Sequence, residues 1–417
     1  MTVDGNLRIA VVGAGIVGVS AAEWLRRDGH DVVLIDRNQP GQATSFGNGG
    51  IIARCSIVPV PVPGLLAKAP GMLLRANQPL FLRWSYLPRL LPWLLPYLAS
   101  AKRERVVQIA AALAPLVTDA FDEHTALARG TPAEKWLRSS DYIYLYTDRS
   151  AFDDDAFGWD LRRDHGIVGT SLTRDDLSDL DPGLSETYKF GYALSDHGFI
   201  ADPGAYVSAL AAWFSAQGGR VLRAEVEDIE ARPDTATIHT DGETIEVERV
   251  VLAGGAWSAD LARRLGHRAM LESERGYHVE FAEPSHTPPC PYMIADAKFV
   301  VTPMDAGVRA AGVVEFGGLE AGPSRAPTQL LERGMRRLYP NFHYASKREW
   351  LGHRPATVDS LPLLGPSPKS RIVYFAFGHH HVGMTAGPKS GRLIADMIAN
   401  RRSNVDLSPY RVERFDR

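Results

Sequence analysis

The segment 8–36 constrains the fold of this chain more than any other, because it combines a strand, a glycine-rich turn, a helix and a second strand. Ile9–Val12 is an apolar run without polar alternation, which is typical of a strand buried on both faces. Gly13, Gly15 and Gly18 form a GxGxxG turn, and apolar residues at helical spacing follow it. This order predicts a βαβ unit, in which such a turn can receive the phosphates of a dinucleotide.

Each glycine of the turn has a separate physical task. Gly13 permits the tight turn, Gly15 lets the backbone approach a pyrophosphate, and Gly18 lets the helix pack against the strand. The start of the helix offers free N–H groups and the positive end of the helix dipole. Asp36 ends the second strand, where its carboxylate can accept hydrogen bonds from a ribose diol. We expect a dinucleotide site that also includes Ile16, Val17 and Arg37; the alternative is a plain βαβ turn without a ligand.

Composition excludes several classes of protein. The 417 residues suffice for two domains, and a net charge of −3 provides no basic face for nucleic acid. Cys55 and Cys290 are far apart in sequence, so we expect neither a disulfide framework nor a cysteine-rich metal site. The first residues lack the pattern of a signal peptide, and no apolar run reaches the roughly 18 residues of a membrane span. We therefore expect a cytoplasmic protein.

A second strand-and-glycine motif favours FAD over NAD as the dinucleotide. The segment 248–258 reads ERVVLAGGAWS, and it ends an apolar strand with Ala253, Gly254, Gly255 and Trp257. Its distance from the first motif suits an FAD-binding domain that a long insertion interrupts. The preceding segment 218–251 alternates like hairpin strands around a turn at Asp241-Gly242. We expect Val226 of that segment, and Ala253, Gly254, Gly255 and Trp257 of the second motif, to contact the cofactor.

With these motifs, the chain resembles the FAD-dependent D-amino acid oxidase/dehydrogenase family, which also contains glycine oxidase and sarcosine oxidase. Within that family it is most similar to the bacterial D-amino acid dehydrogenases. The first motif occurs in many flavoproteins, whereas the order and spacing of all the motifs, over nearly the whole chain, are specific. The further segments that carry the resemblance are ATSFGNGGII (43–52), LRWSYLPRLLPWL (82–94), DPGAYVSAL (202–210), ERGYHVEF (274–281), GHRPATVDSLPLLG (352–365) and FGHHHVGMTAGPKSG (377–391).

The resemblance implies an α/β fold, in which an inserted substrate domain with an antiparallel sheet interrupts a Rossmann-type FAD-binding domain. We expect the FAD-binding domain to comprise 1–54, 199–267 and 348–402, the substrate domain 55–198 and 268–347, and a C-terminal tail 403–417. It also implies that the cofactor is contacted by Ser45, Asn48, Gly49, Gly50, Gly378, His379, His380, Gly383, Met384 and Thr385.

The resemblance further implies oxidative deamination of a small amino acid. Arg354 matches the position of a carboxylate-binding arginine, whose guanidinium would orient the substrate Cα–H towards N5 of the flavin for hydride transfer. The product is an imine that hydrolyses to a 2-oxo acid or stays cyclic. Tyr277 and His278 lie in the matching strand, where either could hydrogen-bond the substrate or be an ordinary strand residue. His381 matches a position that in glycine oxidases holds a second arginine.

The three consecutive histidines 379–381 also raise the question of a metal. Successive residues of an extended segment point to opposite faces, so the three side chains cannot all face one ion in regular structure. No nearby Cys–His set completes a zinc site. The resemblance instead places Gly378 and His379 in a turn beside the flavin, followed by a helix whose N-terminus can stabilise negative charge on the reduced ring. We therefore expect no metal.

Substrate and electron acceptor stay open at this point. The leading function is oxidation of a D-amino acid, for example D-proline or a hydroxylated D-proline. The alternatives are oxidation of glycine, sarcosine or another N-substituted amino acid, and a non-catalytic flavin subunit of a multi-chain dehydrogenase. The acceptor is oxygen or a respiratory quinone. The apolar segment 80–106 either docks on the inner face of a membrane or forms short buried helices broken by Pro88, Pro92 and Pro96; we favour the second.

Non-covalent FAD is the first testable prediction. The sarcosine oxidases attach their flavin to a cysteine shortly after the arginine motif, and the segment 354–365 of this chain contains none. Trichloroacetic acid should therefore release the yellow colour of the purified protein into the supernatant, where chromatography should identify FAD. Colour that stays in the protein pellet would contradict this.

Overall fold

The structure is a computed structural model that describes residues 6–64 and 79–415. The parts of the predicted segments that fall on residues 1–5, 65–78 and 416–417 lie outside the described residues.

Helices and strands are interspersed along the described residues, and in several places strands follow one another directly. The helices are α1 (Ile16–Arg27), α2 (Leu87–Ala99), α3 (Arg103–Val117), α4 (Ala120–Ala128), α5 (Arg149–Asp153), α6 (Ala156–Asp164), α7 (Arg174–Leu180), α8 (Pro203–Ala216), α9 (Ser258–Arg264), α10 (Arg325–Leu338) and α11 (Gly383–Ile398). The strands are β1 (Arg8–Val12), β2 (Asp31–Asp36), β3 (Ile51–Ile52), β4 (Leu80–Leu82), β5 (Leu137–Tyr146), β6 (Thr170–Leu172), β7 (Phe190–Ile200), β8 (Arg220–Arg223), β9 (Val226–Ala231), β10 (Ala236–Thr240), β11 (Thr244–Val247), β12 (Arg249–Leu252), β13 (Leu271–Ala282), β14 (Tyr292–Ile294), β15 (Phe299–Met304), β16 (Gly307–Phe316), β17 (Ser346–Thr357), β18 (Leu363–Ser367) and β19 (Ser370–Phe377).

The first sheet carries the βαβ unit predicted from the sequence. Its strand order is β18-β19-β12-β1-β2-β8, and all neighbours except β18 and β19 run parallel. Four of the five residues of β1 are buried, as its unbroken apolar run predicts. Helix α11 packs closely on α1, because at Gly391 a Cβ would come within 2.6 Å of the Ala21 nitrogen. The predicted Rossmann-type α/β architecture is confirmed.

A small antiparallel sheet of order β11-β10-β9 is attached beside the first sheet. Its β10–β11 hairpin pairs Ala236 with Val247 and turns through residues 241–243, where the sequence predicts a turn.

The second large sheet contains the predicted antiparallel sheet and has the order β17-β13-β16-β15-β14-β5-β7-β3, with β4 beside β16 and β6 beside β7. Strands β13 and β17 pair over their full 12-residue lengths, and this register sets Glu274 opposite Arg354. β3 and most of β17 therefore pair within this sheet, although both lie in segments predicted for the FAD-binding domain. The predicted domain boundaries stay a prediction.

The proline-rich segment differs from the favoured expectation of short broken helices. Residues 87–99 form the single helix α2, with Pro92 and Pro96 inside it. Pro88, Pro92 and Pro96 are spaced by four residues and share one helix face, so each missing N–H and each ring falls on the same side. Leu90, Trp93 and Tyr97 are buried, whereas Trp84, Leu91 and Leu95 are exposed. Within the described ranges, no helix is both long enough and apolar enough to cross a membrane.

The predicted C-terminal tail is packed against the rest of the chain as far as residue 415. Tyr410, Val412 and Phe415 are buried. Arg414 pairs with Asp359, with 2.8 Å between Nε and Oδ2.

Candidate active site

A cavity of about 760 Å³ lies where the carboxyl ends of the parallel strands β1, β2, β12 and β19 meet the antiparallel sheet. Such an edge of an open α/β sheet is where these folds bind their ligands. The first sheet contributes the glycine turn and Asp36, and the second sheet contributes Arg354 and its neighbours.

The glycine turn is held by contacts between backbones. Gly13 has a φ of +112°, and a Cβ there would lie 2.4 Å from the carbonyl oxygen of Ala253. At Gly18 a Cβ would lie 1.8 Å from the carbonyl oxygen of Gly13, so only glycine permits this approach of α1 to β1. At Gly15 the nearest atom to a Cβ would be Ser45 Oγ at 3.4 Å. Gly15 is therefore the glycine of the turn that faces free space.

The start of α1 is built to receive an anion. No side chain caps its N-terminus, and only the N–H of Ile16 donates to a side chain, Ser45 Oγ, at 3.0 Å. The remaining first-turn amides and the helix dipole are available to phosphate oxygens. On the second glycine motif, Gly255 has a φ of +59° and a Cβ would meet no atom within 4 Å. Backbone thus lines the cavity where a pyrophosphate needs close approach.

Asp36 is held firmly at the end of β2. Its Oδ2 accepts the Ala14 N–H at 2.7 Å and its Oδ1 accepts the Asn38 N–H at 2.8 Å. Each oxygen keeps a further lone pair that a ribose hydroxyl could use. The neighbouring Arg37 guanidinium lies 4.5 Å from the centre of the Trp257 ring.

The opposite wall of the cavity is one face of the β13–β17 pair. Arg354 and Trp350 both lie on β17, and both fold over glycines. A Cβ at Gly276 would lie 2.5 Å from Arg354 Cζ, and one at Gly352 would lie 1.8 Å from the Trp350 ring. The guanidinium donates from Nη1 to the Val313 carbonyl at 3.0 Å and from Nη2 to the Gly312 carbonyl at 3.2 Å.

Behind Arg354, a buried carboxylate contacts the histidine turn. Glu274 Oε2 lies 2.6 Å from His380 Nε2, and His380 Nδ1 lies 3.3 Å from His381 Nδ1. Burial raises the pKa of Glu274, but the His380 imidazole and the Arg354 guanidinium outweigh burial, so the pKa lies below its usual value. Burial and the neighbouring His380 lower the pKa of His381 to about 3.

The structure separates the two predicted neighbours of the substrate on β13. Tyr277 lines the cavity, but its hydroxyl donates to Glu315 Oε2 at 2.5 Å and accepts the Ser324 N–H at 3.1 Å. His278 does not line the cavity, because Trp350, directly opposite on β17, stacks on it with 5.2 Å between ring centres. Its Nδ1 also contacts the Gly47 carbonyl at 3.0 Å. Of the two interpretations of His278, its position outside the cavity favours an ordinary strand residue.

Most of the predicted cofactor residues line this cavity, and three do not. Gly18 is used for packing, and Gly50, with a φ of +77°, is used for a turn against Ile200. Thr385 joins α11 to the segment after β3, accepting the Ala53 N–H at 3.3 Å. The predicted residues that line the cavity are Gly13, Gly15, Ile16, Val17, Asp36, Arg37, Ser45, Asn48, Gly49, Val226, Ala253, Gly254, Gly255, Trp257, Gly378, His379, His380, Gly383 and Met384, with His381 and Arg354.

The three histidines point in different directions. His379 Nε2 contacts Ser390 Oγ at 2.9 Å on α11, whereas His380 turns towards Glu274. In the part of the chain that the structure describes, no group of three or more His, Cys, Asp and Glu side chains is arranged to hold a metal ion.

Sequence reasoning missed two residues of the site. Trp350 stands two and four residues before Gly352 and Arg354, so the two-residue period of a strand places all three on one face. This two-residue period could therefore have predicted that Trp350 lies beside Arg354 in the site. Glu274 had no comparable signal, because its contact with His380 depends on how distant segments meet.

The fold and the cavity thus define an α/β protein with a dinucleotide site under an antiparallel sheet. A family model described as FAD dependent oxidoreductase matches residues 8–397, and this chain belongs to that family. The D-amino-acid oxidase of Bradyrhizobium diazoefficiens is 38% identical over 416 residues, covering 98% of each chain. The D-amino acid dehydrogenase of Paramagnetospirillum magneticum is 30% identical over 425 residues, covering 98% of this chain and 99% of the relative.

Solved structures share the fold at lower identity. Glycine oxidase from Geobacillus kaustophilus has a TM-score of 0.73 at 22% identity, covering 98% of this chain and 99% of that one. L-proline dehydrogenase from P. horikoshii has a TM-score of 0.75 at 17% identity, covering 99% of this chain and 98% of that one. The cofactor is FAD, and the uncapped start of α1, the open backbone at Gly255 and the carboxylate of Asp36 fit it.

Two glycine substitutions should separate cofactor binding from folding. Gly15→Val places its side chain in the cavity, so we expect a folded protein that has lost FAD. Gly18→Ala forces a methyl group against the Gly13 carbonyl, so we expect a loss of about 3 kcal/mol or more in unfolding free energy. Flavin absorbance and thermal unfolding of the apoproteins measure the two effects. A Gly15→Val protein with full FAD content would show that the phosphates bind elsewhere.

Proposed function

We propose that this chain oxidises a D-amino acid at its α-carbon, with Arg354 as the ligand of the substrate carboxylate. The 38% identical relative is named a D-amino-acid oxidase and the 30% identical relative a D-amino acid dehydrogenase. Both names support the same substrate class. Because the alignments cover nearly the whole of each chain, they include both the cofactor-binding and the substrate-facing segments.

The pairing of the charged side chains that line the cavity supports this proposal most directly. Three arginines line it in the described part of the chain: Arg37, Arg264 and Arg354. Arg37 pairs with Glu225 at 3.4 Å, and Arg264 pairs with Asp260 at 3.0 Å. Arg354 has only the two carbonyls described above as hydrogen-bond partners within the described residues. It is thus the cavity-lining arginine whose charge is left for a ligand.

The Arg354 guanidinium has the geometry that a carboxylate requires. It carries five N–H donors, and the Gly312 and Val313 carbonyls engage two of them. The remaining donors can bind a carboxylate, and the two carbonyls hold the fork in place. Burial lowers the pKa of Arg354 while the nearby Glu274 carboxylate raises it, and an arginine in this setting stays charged at neutral pH.

The other walls position the rest of the substrate. When bound, FAD supplies the electron sink, accepting a hydride from the substrate Cα. Trp350 and Ala311 provide an apolar surface beside Arg354, which suits a compact side chain or ring, and D-proline or a hydroxy-D-proline is accordingly the narrower proposal. The alternative substrates glycine and sarcosine are supported only by the fold shared with glycine oxidase.

The electron acceptor is proposed to be oxygen or a quinone, since the relatives include both an oxidase and dehydrogenases. A quinone would require contact with a membrane. The exposed Trp84, Leu91 and Leu95 on and before α2 are the surface residues that support such a contact.

Replacing Arg354 by Met tests the proposal, because Met keeps an apolar stem but removes the charge and the fork. A bound carboxylate left without its partner should cost about 2–5 kcal/mol, which corresponds to a loss of roughly 30- to several-thousand-fold in kcat/KM. Arg354→Lys should restore only part of the rate, since a point charge cannot form two parallel bonds. Rates with a D-amino acid and with its carboxyl-amide analogue measure the effect.

The wild-type enzyme should prefer the acid strongly, and the Met variant should lose that preference with an unchanged FAD content. Arg264→Met is the matched control with FAD in excess, because Arg264 lines the same cavity but is already paired with Asp260. A Met variant at position 354 that keeps its preference for the acid would remove Arg354 from the substrate site.

A further inference from the structure

Helix α11 begins beside the cavity and contains a proline in its second turn. Gly383 and Met384, its first two residues, line the cavity, and no side chain caps its N-terminus. In an α-helix, the carbonyl of one residue accepts the N–H of the fourth residue after it. For Met384 that residue is Pro388, which has no N–H. The Met384 carbonyl therefore lacks its usual partner within the helix.

The missing donor comes from a different helix. His124 on α4 is fully buried, and its Nε2 lies 2.9 Å from the carbonyl oxygen of Met384. Because a carbonyl oxygen can only accept, the proton of this hydrogen bond is on His124 Nε2, whether the imidazole is neutral or charged. The ring of a proline also crowds the carbonyl four residues before it. A partner from outside the helix therefore suits the Met384 carbonyl.

Other contacts hold His124 in place. Its Nδ1 lies 2.9 Å from the hydroxyl of Tyr206 on α8. Burial lowers the pKa of His124 to about 4, so at neutral pH the imidazole is neutral and Nδ1 accepts the Tyr206 hydroxyl. The start of α4 is joined to α11 by Lys389, whose Nζ lies 2.6 Å from Asp119 Oδ2 and 3.1 Å from Glu123 Oε1. His124 thus contacts Met384 from a fixed support.

The strand order of the first sheet relates α11 to the two halves of FAD. Asp36 ends β2 on one side of β1, whereas the turn 378–383 follows β19, two strands away on the other side. An FAD whose adenosine ribose contacts Asp36 and whose phosphates contact the start of α1 has its flavin half towards the start of α11. The first-turn amides of α11 can then stabilise the negative charge of the reduced flavin.

We propose that His124 is a positioning residue, which holds the start of α11 against the flavin by supplying the hydrogen bond that Pro388 removes from the helix. The effect passes through Met384, because its carbonyl is bound to His124 and the residue itself lines the cavity. The start of α11 also packs on the start of α1, since a Cβ at Gly387 would lie 2.9 Å from Ile16 Cγ1. This role depends on bound FAD and on no particular substrate, and so goes beyond the proposed function.

The midpoint potential of the bound FAD tests this role. His124→Phe keeps a buried ring but removes the donor, so the Met384 carbonyl loses its partner and the first turn of α11 is no longer fixed. Reduced FAD should then bind about three- to tenfold more weakly relative to oxidised FAD. For a two-electron couple, this lowers the midpoint potential by about 15–30 mV. Anaerobic dye titration of the purified holoprotein measures the shift.

Pro388→Ala provides the decisive comparison, because alanine has the N–H that proline lacks. In that background the helix itself supplies the hydrogen bond to Met384, so adding His124→Phe should leave the midpoint potential unchanged. The comparison of single and double variants also removes the packing effects that they share. If His124→Phe alone does not fold or does not retain FAD, the double variant should do both.

Tyr206→Phe is the matched control for general stability. It breaks a buried hydrogen bond of the same imidazole but leaves the Nε2 donor to Met384 in place. Its melting temperature should fall by about 1–3 °C, whereas its midpoint potential should equal that of wild type.

Four results would overturn the proposal. The first two are a His124→Phe protein with the wild-type potential, and a shift of equal size with and without Pro388→Ala. The third is a double variant that fails to fold or to bind FAD. The fourth is a shift in Tyr206→Phe as large as that in His124→Phe. These measurements use no amino-acid substrate, so their outcome is independent of the proposed function.

Discussion

The pairing of β13 with β17 is the interaction on which the site depends. Its register places Glu274 opposite Arg354, Gly276 opposite Gly352, and His278 opposite Trp350. Side chains opposite each other in an antiparallel pair share a face, so a cation, a carboxylate and an aromatic ring project together from one surface. The glycine pair provides the space into which the guanidinium and the indole fold. A shift of either strand by one residue would turn its side chains of this group to the other face of the sheet.

The first sheet supplies the other half of the site by a different physical means. There the backbone faces the ligand, because Gly13 and Gly18 let β1, α1 and the end of β12 approach each other more closely than any side chain would allow. The turn 378–383 belongs to both halves. It ends β19 and begins α11 in the first sheet, and it brings His380 to the carboxylate of Glu274 in the second.

Local backbone rules explain why the cofactor half could be predicted from the sequence. The glycine spacing, the apolar run of β1, the acid at the end of β2 and the turn near Asp241 each depend on neighbouring residues, and each lies where expected. The other half depends on register between distant strands. His278 shares the strand face of Glu274 and Gly276, but Trp350 stacks on it and separates it from the cavity. No local pattern on β13 could predict that cover.

Helix α2 and the contact between Glu274 and His380 show the same limit. Pro92 and Pro96 suggested broken helices, yet the shared face of the prolines lets one helix continue. Glu274 showed no motif, and only the fold brings it to His380.

Anaerobic bleaching of the FAD by a panel of D-, L- and N-methyl amino acids shows whether this site oxidises D-amino acids. Mixed with the oxidised protein in the absence of oxygen, D-amino acids, including D-proline, should remove the flavin absorbance, whereas their L-enantiomers and sarcosine should leave it. Bleaching by the L-enantiomers or sarcosine, with no response to D-amino acids, would show that D-amino acids are not the substrates.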